Sequence, residues 1–165
     1  MIHHLDNIDH AILRNLQRDA MLSMDALAEL VHLSRNAVWR RMKALEAAGI
    51  IKARVAIIDP DKVGLGLQVF VMIKAGAHDP GWLKKFHGAV RIMPQIVGAH
   101  RMSGDLDYVL RVRVASVKDY DRFYQDLIRR VPIADVSASF VMDDIKDTTE
   151  SVSYTHLTLP TILRV

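Results

Sequence analysis

The sequence has no cysteine among its 165 residues, and it has no apolar run of the roughly 20 residues that a membrane-spanning helix needs. The first absence excludes disulfides, a thiol nucleophile and cysteine-bound zinc, and it permits a reducing compartment. The amino terminus, MIHHLDNIDH, lacks the basic and then apolar pattern of a signal peptide. With 50% hydrophobic residues, the chain is predicted to fold around packed apolar surface and to act in the cytoplasm.

Motifs of several enzyme classes are also absent. The chain has no phosphate-binding glycine-rich loop, no H-E-x-x-H and no G-x-S-x-G. Its histidines are scattered, and His32, His87 and His100 lack partners at metal-ligand spacing. We therefore expect no catalytic residue, no metal and no cofactor.

Charge is unevenly distributed along the first 54 residues. Residues 1–33 contain five acidic and two basic side chains, whereas residues 34–54 contain six basic side chains against Glu46 alone. Such a reversal is typical either of a basic face for a polyanion or of a solvated helix face. The spacing of the basic residues must distinguish the two.

Three helices are predicted in this region. Apolar residues at helical spacing predict a first helix near 6–19, capped by Asp6. Ser23 is placed to cap a short second helix. Ser34 is placed to cap a third helix, and Gly49 to end it in the left-handed conformation.

The predicted third helix has one apolar and one basic face. Val38, Met42 and Leu45 recur at i, i+4 and i+7, so they form a stripe that can pack on the other helices. A tight linker before a basic third helix is typical of a helix-turn-helix DNA-binding domain. The cap and the basic side of the helix carry the candidate DNA-binding residues Ser34, Arg35, Asn36, Trp39, Arg40, Arg41 and Lys43.

These candidates are expected to have different roles. Arg35 and Asn36, near the amino terminus of the helix, are placed for base edges in a major groove. The basic residues further along are placed for phosphates, which supply affinity but little sequence information. Trp39 fits partial burial beside the second helix as well as it fits contact with DNA.

A strand is predicted to lead out of this domain. In IIKARVAIID, residues 50–59, Ile51, Arg54 and Ala56 alternate with apolar neighbours, and Pro60 ends the run. The predicted DNA-binding domain with its linker strand is thus residues 1–62.

The order of these motifs is characteristic. It comprises the Leu5-Asp6, Ile8-Asp9 and Ile12-Leu13 opening, the LA-x-x-V-x-LS turn, Arg41 with Leu45, the Ala-Gly-Ile end and Asp59-Pro60. In these features residues 5–66 resemble the amino-terminal half of the Lrp/AsnC, or feast/famine, transcription regulators of bacteria and archaea. The resemblance implies a winged-helix-like helix-turn-helix domain that binds specific DNA sequences.

Residues 63–151 are predicted to form a second domain. Strands are expected near 65–75, 96–102, 107–114 and 135–142, and the SGDLD turn joins the middle pair. Asp79 and Ser116 are placed to cap two helices. The stripe expected on the second helix is Val117, Tyr120, Tyr124, Leu127 and Ile128. The order βαββαβ is that of a ferredoxin-like domain, so the whole chain is predicted to be α+β.

The first strand of this domain is apolar on both faces. One face carries Leu67, Val69, Val71 and Ile73, and the other carries Phe70 and Met72. Because helices can cover only one face of this sheet, we predict a homodimer formed sheet to sheet. A two-fold dimer would present two helix-turn-helix units to DNA half-sites about one helical turn apart.

The second half resembles the ligand-sensing domain of the same family, usually called RAM, and its SGDLDY segment matches the family's Gly-Asp-x-Asp-Tyr loop. The resemblance covers about residues 3–150 and implies an amino acid or related effector and assembly of dimers into octamers or higher rings. Loop N–H groups suit a carboxylate and an acidic side chain suits an ammonium. The candidate effector residues are Gly104, Asp105, Asp107, Tyr108 and Ser139, although Gly104 fits a simple turn better.

The end of the chain is expected to be foreign to the protein. Residues 152–161, VSYTHLTLPT, match a translation of a transposon-end adapter used in sequencing libraries, since GTC TCT TAT ACA CAT CTG encodes VSYTHL. We therefore expect residues 152–165 to be a non-native tail in which Tyr154, His156 and Arg164 have no function. On this hypothesis the native carboxy terminus was lost near Glu150.

Three functions from different classes are compatible with these features. The first is a transcription regulator that an amino acid modulates. The second is an enzyme, because sirohaem decarboxylases resemble the same family, although they should not need the cationic helix. The third is an architectural protein that bends or wraps DNA with little sequence preference.

Overall fold

The computed structural model describes residues 5–77 and 79–151, and these form two compact units. The first unit contains residues 5–56 together with 146–151, and the second is Ile57–Ile145. The segment 146–151, which the sequence assigns to the second domain, thus groups with the first. The tail predicted at 152–165 lies outside the described residues.

Three helices form the first unit: α1 (Asn7–Arg18), α2 (Met24–Leu30) and α3 (Arg35–Ala47). Before each helix stands a side chain that accepts a hydrogen bond from a free backbone N–H of the first turn. These residues are Asp6, Ser23 and Ser34, so the three predicted caps are confirmed.

The apolar stripe of α3 is buried as predicted. Val38, Met42 and Leu45 lie in one core with Ile12 of α1 and Leu27 of α2. Burial of this stripe turns the opposite side of α3 to solvent.

Helices α2 and α3 end in the same way. After α2, His32 has a φ of 53° and the Leu33 N–H donates to the Ala28 carbonyl at 3.0 Å. After α3, Gly49 has a φ of 71° and the Ile50 N–H donates to the Leu45 carbonyl at 3.0 Å. Both ends are Schellman motifs, which confirms the predicted role of Gly49 and shows that His32 takes a conformation that glycine usually supplies.

The segment 146–151 contacts α1 near its carboxy-terminal end. The Glu150 carboxylate lies 3.7 Å from Arg18 Nε, and the Ser151 N–H donates to Gln17 Oε1 at 2.5 Å. These polar contacts are exposed, so they contribute little stability.

The strand predicted at 50–59 is not formed. No residue from 51 to 59 belongs to a helix or strand, and Val55, Ile57 and Ile58 are 75%, 75% and 62% exposed. Alternating residues favour extended backbone, but a strand also needs a neighbour that supplies hydrogen bonds. Within the described residues, no strand pairs with this segment.

The second unit contains β1 (Leu67–Ala75), α4 (Pro80–Ile92), β2 (Ile96–Arg101), β3 (Tyr108–Val114), α5 (Val117–Arg130) and β4 (Ile133–Phe140). The strands form an antiparallel sheet in the order β2-β3-β1-β4. Asp79 and Ser116 cap the two helices. The predicted βαββαβ order and the ferredoxin-like fold are therefore confirmed.

The core of this unit lies between one face of the sheet and the two helices. Val69, Val71 and Ile73 of β1 are fully buried there together with aromatic residues of α4. On α5, Phe123 is buried whereas Val117 and Ile128 are 63% and 37% exposed, so the predicted stripe is wrong at these two residues and misses Phe123. A short helix permits more than one apolar stripe, and only packing on the sheet decides which is buried.

The opposite face of β1 is less apolar than predicted. Phe70 is 38% exposed, and its neighbours on β3 and β4 are Arg111 and Ser139. Gln68 is buried, yet its Oε1 has no hydrogen-bond partner. We use the name open sheet face for the surface formed by Gln68, Phe70, Met72, Val109 and Arg111.

No helix in the described part of the chain is long and apolar enough to cross a membrane. In the same residues, no three side chains of the His, Asp or Glu type are grouped in a way that could hold a metal ion.

The corrected face of α5 can be tested by comparing two truncations. Phe123→Ala should lower the free energy of unfolding by about 3–5 kcal/mol, because it leaves a cavity in the core. Val117→Ala should change it by less than about 0.5 kcal/mol, since Val117 is exposed. Urea unfolding of both variants checks this, and an equal loss in the two would contradict the burial pattern.

Candidate functional site

The outward side of α3 carries most of the predicted DNA-binding residues. Arg35, Asn36, Arg40 and Lys43 are exposed. Trp39, for which burial and DNA contact were equally expected, is 53% exposed. The structure therefore brings these five side chains together on one solvent-facing surface, which we call the α3 face.

Ser34 lies at the start of this surface. Its Oγ accepts a hydrogen bond from the Ala37 N–H at 3.3 Å, so the hydroxyl is engaged in capping. The amino terminus of a helix attracts anions, because its first N–H groups and the helix dipole both favour negative charge. This end of α3 is thus suited to a phosphate.

Two of the cations on the α3 face pair with carboxylates. Arg35 Nε lies 3.7 Å from Asp25 Oδ1, and Lys43 Nζ lies 2.9 Å from Glu46 Oε2. The hydrogen bonds from Lys43 and then from Arg54 hold the pKa of Glu46 below its usual value. Exposed pairs of this kind are weak and are screened by salt, so a phosphate can replace the carboxylate.

Arg40 differs from these two cations. Within residues 5–77 and 79–151 it has no ion-pair partner. Its guanidinium offers five N–H donors in a planar fork that matches a phosphate. Arg40 is therefore the side chain of the α3 face that is most available to an anion.

Arg41 does not lie on the α3 face. Its Nη1 donates to Asp6 Oδ2 at 2.7 Å and to Asp9 Oδ1 at 2.8 Å, so the guanidinium joins α3 to the start of α1. The two carboxylates project toward it because they form the capping box of α1. This ion pair occupies the side chain for which the sequence predicted a phosphate contact.

The charges in this ion pair reinforce one another. The hydrogen bond from the Asp9 N–H, and then that from Arg41, hold the pKa of Asp6 below its ordinary value of 3.8. The carboxylates of Asp9 and Asp6 in turn raise the pKa of Arg41. Both groups are thus charged at neutral pH.

The predicted effector residues Gly104 and Asp105 lie in the turn between β2 and β3. Gly104 has a φ of 114°, which favours glycine, and a Cβ there would meet nothing within 4 Å. Asp105 is exposed. The geometry at Gly104 is that of a turn, as the sequence indicated for this residue.

Asp107 connects this turn to the end of β1. Its backbone N–H donates to the Ile73 carbonyl at 3.0 Å, and its Oδ2 accepts from the Ala75 N–H at 2.8 Å. The carboxylate therefore already has a structural role, which the sequence did not indicate.

Tyr108 and Ser139 lie on opposite sides of the sheet. Tyr108 is 6% exposed, and its ring centroid lies 4.4 Å from that of Phe86 on α4. Ser139 is paired with Phe70, so it belongs to the side of the open sheet face. Of the five predicted effector residues, only Tyr108 lines the cleft described next.

A cleft of about 360 Å³ lies between α4 and β2, and the sequence did not predict it. Phe86 and Val90 of α4 and Tyr108 of β3 contribute apolar lining, and Arg91 and Arg101 contribute cations. These residues are far apart in sequence, so only the fold brings them together. The signal for this cleft that the sequence offers is the position of Arg91 next to Val90 on α4 and of Arg101 close to Ala99 on β2.

Two family models match the chain. One is described as a winged helix-turn-helix DNA-binding domain and matches residues 5–52. The other is described as the Lrp/AsnC ligand binding domain and matches residues 68–151.

Known proteins resemble the chain over nearly its full length. It is 47% identical over 146 residues to the DNA-binding transcriptional activator DecR of Escherichia coli (strain K12), covering 88% of this chain and 96% of that protein. It matches the crystal structure of an AsnC family transcriptional regulator from Agrobacterium tumefaciens with a TM-score of 0.86 and 44% identity, over 90% of this chain and 97% of that one.

A further solved structure contains a small molecule. It is a transcriptional regulator from Neisseria meningitidis in complex with L-Met. It matches with a TM-score of 0.84 and 33% identity, over 88% of this chain and 95% of that chain.

The ion pair of Arg41 can be tested against the exposed Arg40. Arg41→Gln should lower the free energy of unfolding of the first unit by about 0.5–1 kcal/mol, because it leaves Asp6 and Asp9 without their cation. Arg40→Gln should leave stability unchanged. Equal stability of the two variants in urea unfolding at pH 7 would contradict a structural role for Arg41.

The difference should depend on pH in a defined direction. Because the pKa of Asp6 is lowered in the folded state, its contribution is fully present above the ordinary value of 3.8 and is lost as pH falls through the lower folded value. The gap between wild type and Arg41→Gln should therefore shrink below that pH. A gap that widened there would contradict this assignment.

Proposed function

This chain belongs to the Lrp/AsnC family and is a DNA-binding transcriptional regulator of that type, and we propose that it binds its DNA sites through the α3 face and responds to an amino acid. We further propose that it acts as a regulator and not as an enzyme. A protein that acts on promoter DNA must reach the chromosome, which supports the expected cytoplasmic location.

The observation that carries the DNA-binding proposal is the division of α3 into two sides. The buried stripe of Val38, Met42 and Leu45 holds the helix on its own unit. The other side presents Asn36 and Arg40 to solvent. We assign Arg35 and Asn36 to base edges and Arg40 and Lys43 to phosphates, with Trp39 and Ser34 beside them.

We leave Arg41 out of the DNA contacts. Its guanidinium already bonds to Asp6 and Asp9, so contact with a phosphate would require this pair to break. Its proposed role is to hold α3 on α1.

For the effector we propose an amino acid bound beside the turn of Gly104 and Asp105. The Neisseria meningitidis regulator, which resembles this chain, holds L-Met in its crystal structure. Exposed turn N–H groups suit a carboxylate and Asp105 suits an ammonium. Asp107 would hold this turn on the end of β1, and the buried Tyr108 would anchor it in the core. Ser139 would contact the ligand from a second copy of the chain.

We propose that two copies associate through the open sheet face. Phe70, an aromatic side chain near the middle of this face, is 38% exposed, and an apolar side chain left open to solvent on a sheet favours a partner that covers it. Further assembly to an octamer or a higher ring remains a prediction from the family resemblance.

The domain limits 1–62 and 63–151 and the foreign tail 152–165 also remain proposals. The ligand-domain match ends at residue 151, which supports the proposal of a foreign tail.

Selection of DNA fragments from a random pool tests the function directly. The full chain should enrich a short pseudo-palindrome, and a mixture of the twenty amino acids should change that enrichment. Binding to every sequence alike would favour the architectural alternative. Absence of DNA binding even at low salt would contradict the proposed regulatory function and would favour the enzyme alternative.

Single variants then separate the roles on the α3 face. Arg40→Ala should weaken binding to all sequences and lower the slope of log affinity against log salt by about one unit, because one phosphate contact is lost. Asn36→Ala should relax preference at one base position by roughly 1–3 kcal/mol. Arg122→Ala removes an exposed cation of α5 and should change neither property. A wild-type salt slope in Arg40→Ala would exclude α3 as the groove helix.

The dimer proposal makes a separate prediction. Phe70→Glu places a charge in the centre of the open sheet face and should shift the protein toward monomer in sedimentation equilibrium. Ile92→Glu changes an exposed apolar residue of α4 and should leave the assembly intact. Dissociation by both variants, or by neither, would contradict this interface.

A further inference from the structure

The cleft between α4 and β2 combines an apolar wall with a cationic rim. Leu83, Phe86 and Val90 of α4 face it from the helix, and Tyr108 of β3 adds an aromatic ring. Its volume of about 360 Å³ lies within the range of small-molecule pockets. The space is therefore suited to the apolar body of a small ligand.

The charges around this cleft have one sign. Arg91 and Arg101 line it together with His87 of α4, and among its lining residues in the described part of the chain there is no Asp or Glu. Neither arginine forms an ion pair with residues 5–77 or 79–151. The local field of such a rim attracts an anion, and a guanidinium binds a carboxylate with two parallel hydrogen bonds.

The absence of a carboxylate in the lining bears on the ligand class. A free amino acid carries an ammonium group that needs an acceptor when it leaves water. The nearby Asp107 already accepts the Ala75 N–H, and it does not line the cleft. The lining thus offers partners to the carboxylate and the apolar body of a ligand but none of opposite charge to an ammonium.

We propose that this cleft binds an organic monocarboxylate with an apolar body and does not require an ammonium group; the α-keto acid of an apolar amino acid belongs to this class. The inference rests on the proposed function in assigning small-molecule binding to the second unit. It extends that function, because the regulator would then respond to the deaminated form of an amino acid as well as to the amino acid.

Calorimetric titration of the full chain in the absence of DNA tests this ligand class. The probes are the α-keto acids of leucine, methionine and phenylalanine, the three amino acids themselves, and the three amines that lack the carboxylate. At least one keto acid should bind as tightly as its amino acid, and none of the amines should bind. Binding of the amino acids alone, binding of an amine, or no binding by any keto acid would overturn the proposal.

Variants locate the site. Arg91→Gln and Arg101→Gln should each weaken keto-acid binding about tenfold, as expected for loss of a charged hydrogen bond. Lys85→Gln removes an exposed cation of α4 that does not line the cleft, and it should have no effect. Ala99→Phe should abolish binding by filling the space. Unchanged affinity in both arginine variants and in Ala99→Phe would place the ligand elsewhere.

The failure of this inference is distinguishable from failure of the proposed function. If the pool selection enriches no DNA but a keto acid binds and Arg101→Gln weakens it, the cleft is a carboxylate site in a protein without the proposed regulatory role. If DNA is enriched and amino acids shift the enrichment but no keto acid binds, the regulator stands and the cleft assignment is wrong.

Discussion

Burial of Val38, Met42 and Leu45 orients α3, and the orientation of α3 decides which of its side chains can reach DNA. A helix places neighbouring residues about 100° apart, so fixing one side also fixes the other. Arg40 is then directed to solvent, while Arg41, the next residue, meets the carboxylates of α1. The two adjacent arginines thus have different chemistry, because burial of the apolar stripe turns one of them to solvent and the other toward α1.

Local signals in the sequence predicted most of the fold. Each helix begins after a residue that can accept a backbone N–H, and this chemistry acts within a few residues of the chain. The strand expected at 50–59 failed because strand formation depends on a neighbour that local sequence cannot supply. The choice between Val117 and Phe123 failed for a related reason, since the sheet selects the buried side of α5.

The sequence predicted which residue types form the candidate sites, but not which ion-pair or hydrogen-bond partners those residues have. The spacing indicated which residues share the basic side of α3, yet the pairing of Arg41 with Asp6 joins positions 35 residues apart in sequence. In the second unit, the hydrogen bond from the Ala75 N–H to Asp107 and the cleft beside Tyr108 could not be predicted either, because they join residues that are far apart in sequence. Motif resemblance identifies the turn of Gly104 and Asp105, whereas only the fold shows which groups around it are still available.

The left-handed backbone at His32 has a consequence for how this protein can change over time. A side chain in this conformation costs about 1 kcal/mol relative to glycine, which performs the same task at position 49. The junction of α2 and α3 is thus less stable than it could be, and His32→Gly should recover the difference. Such unused stability is common in natural proteins. Replacement of His32 by glycine would therefore offset the cost of about one mildly destabilising change on the α3 face, so this turn offers a way to compensate changes in DNA recognition.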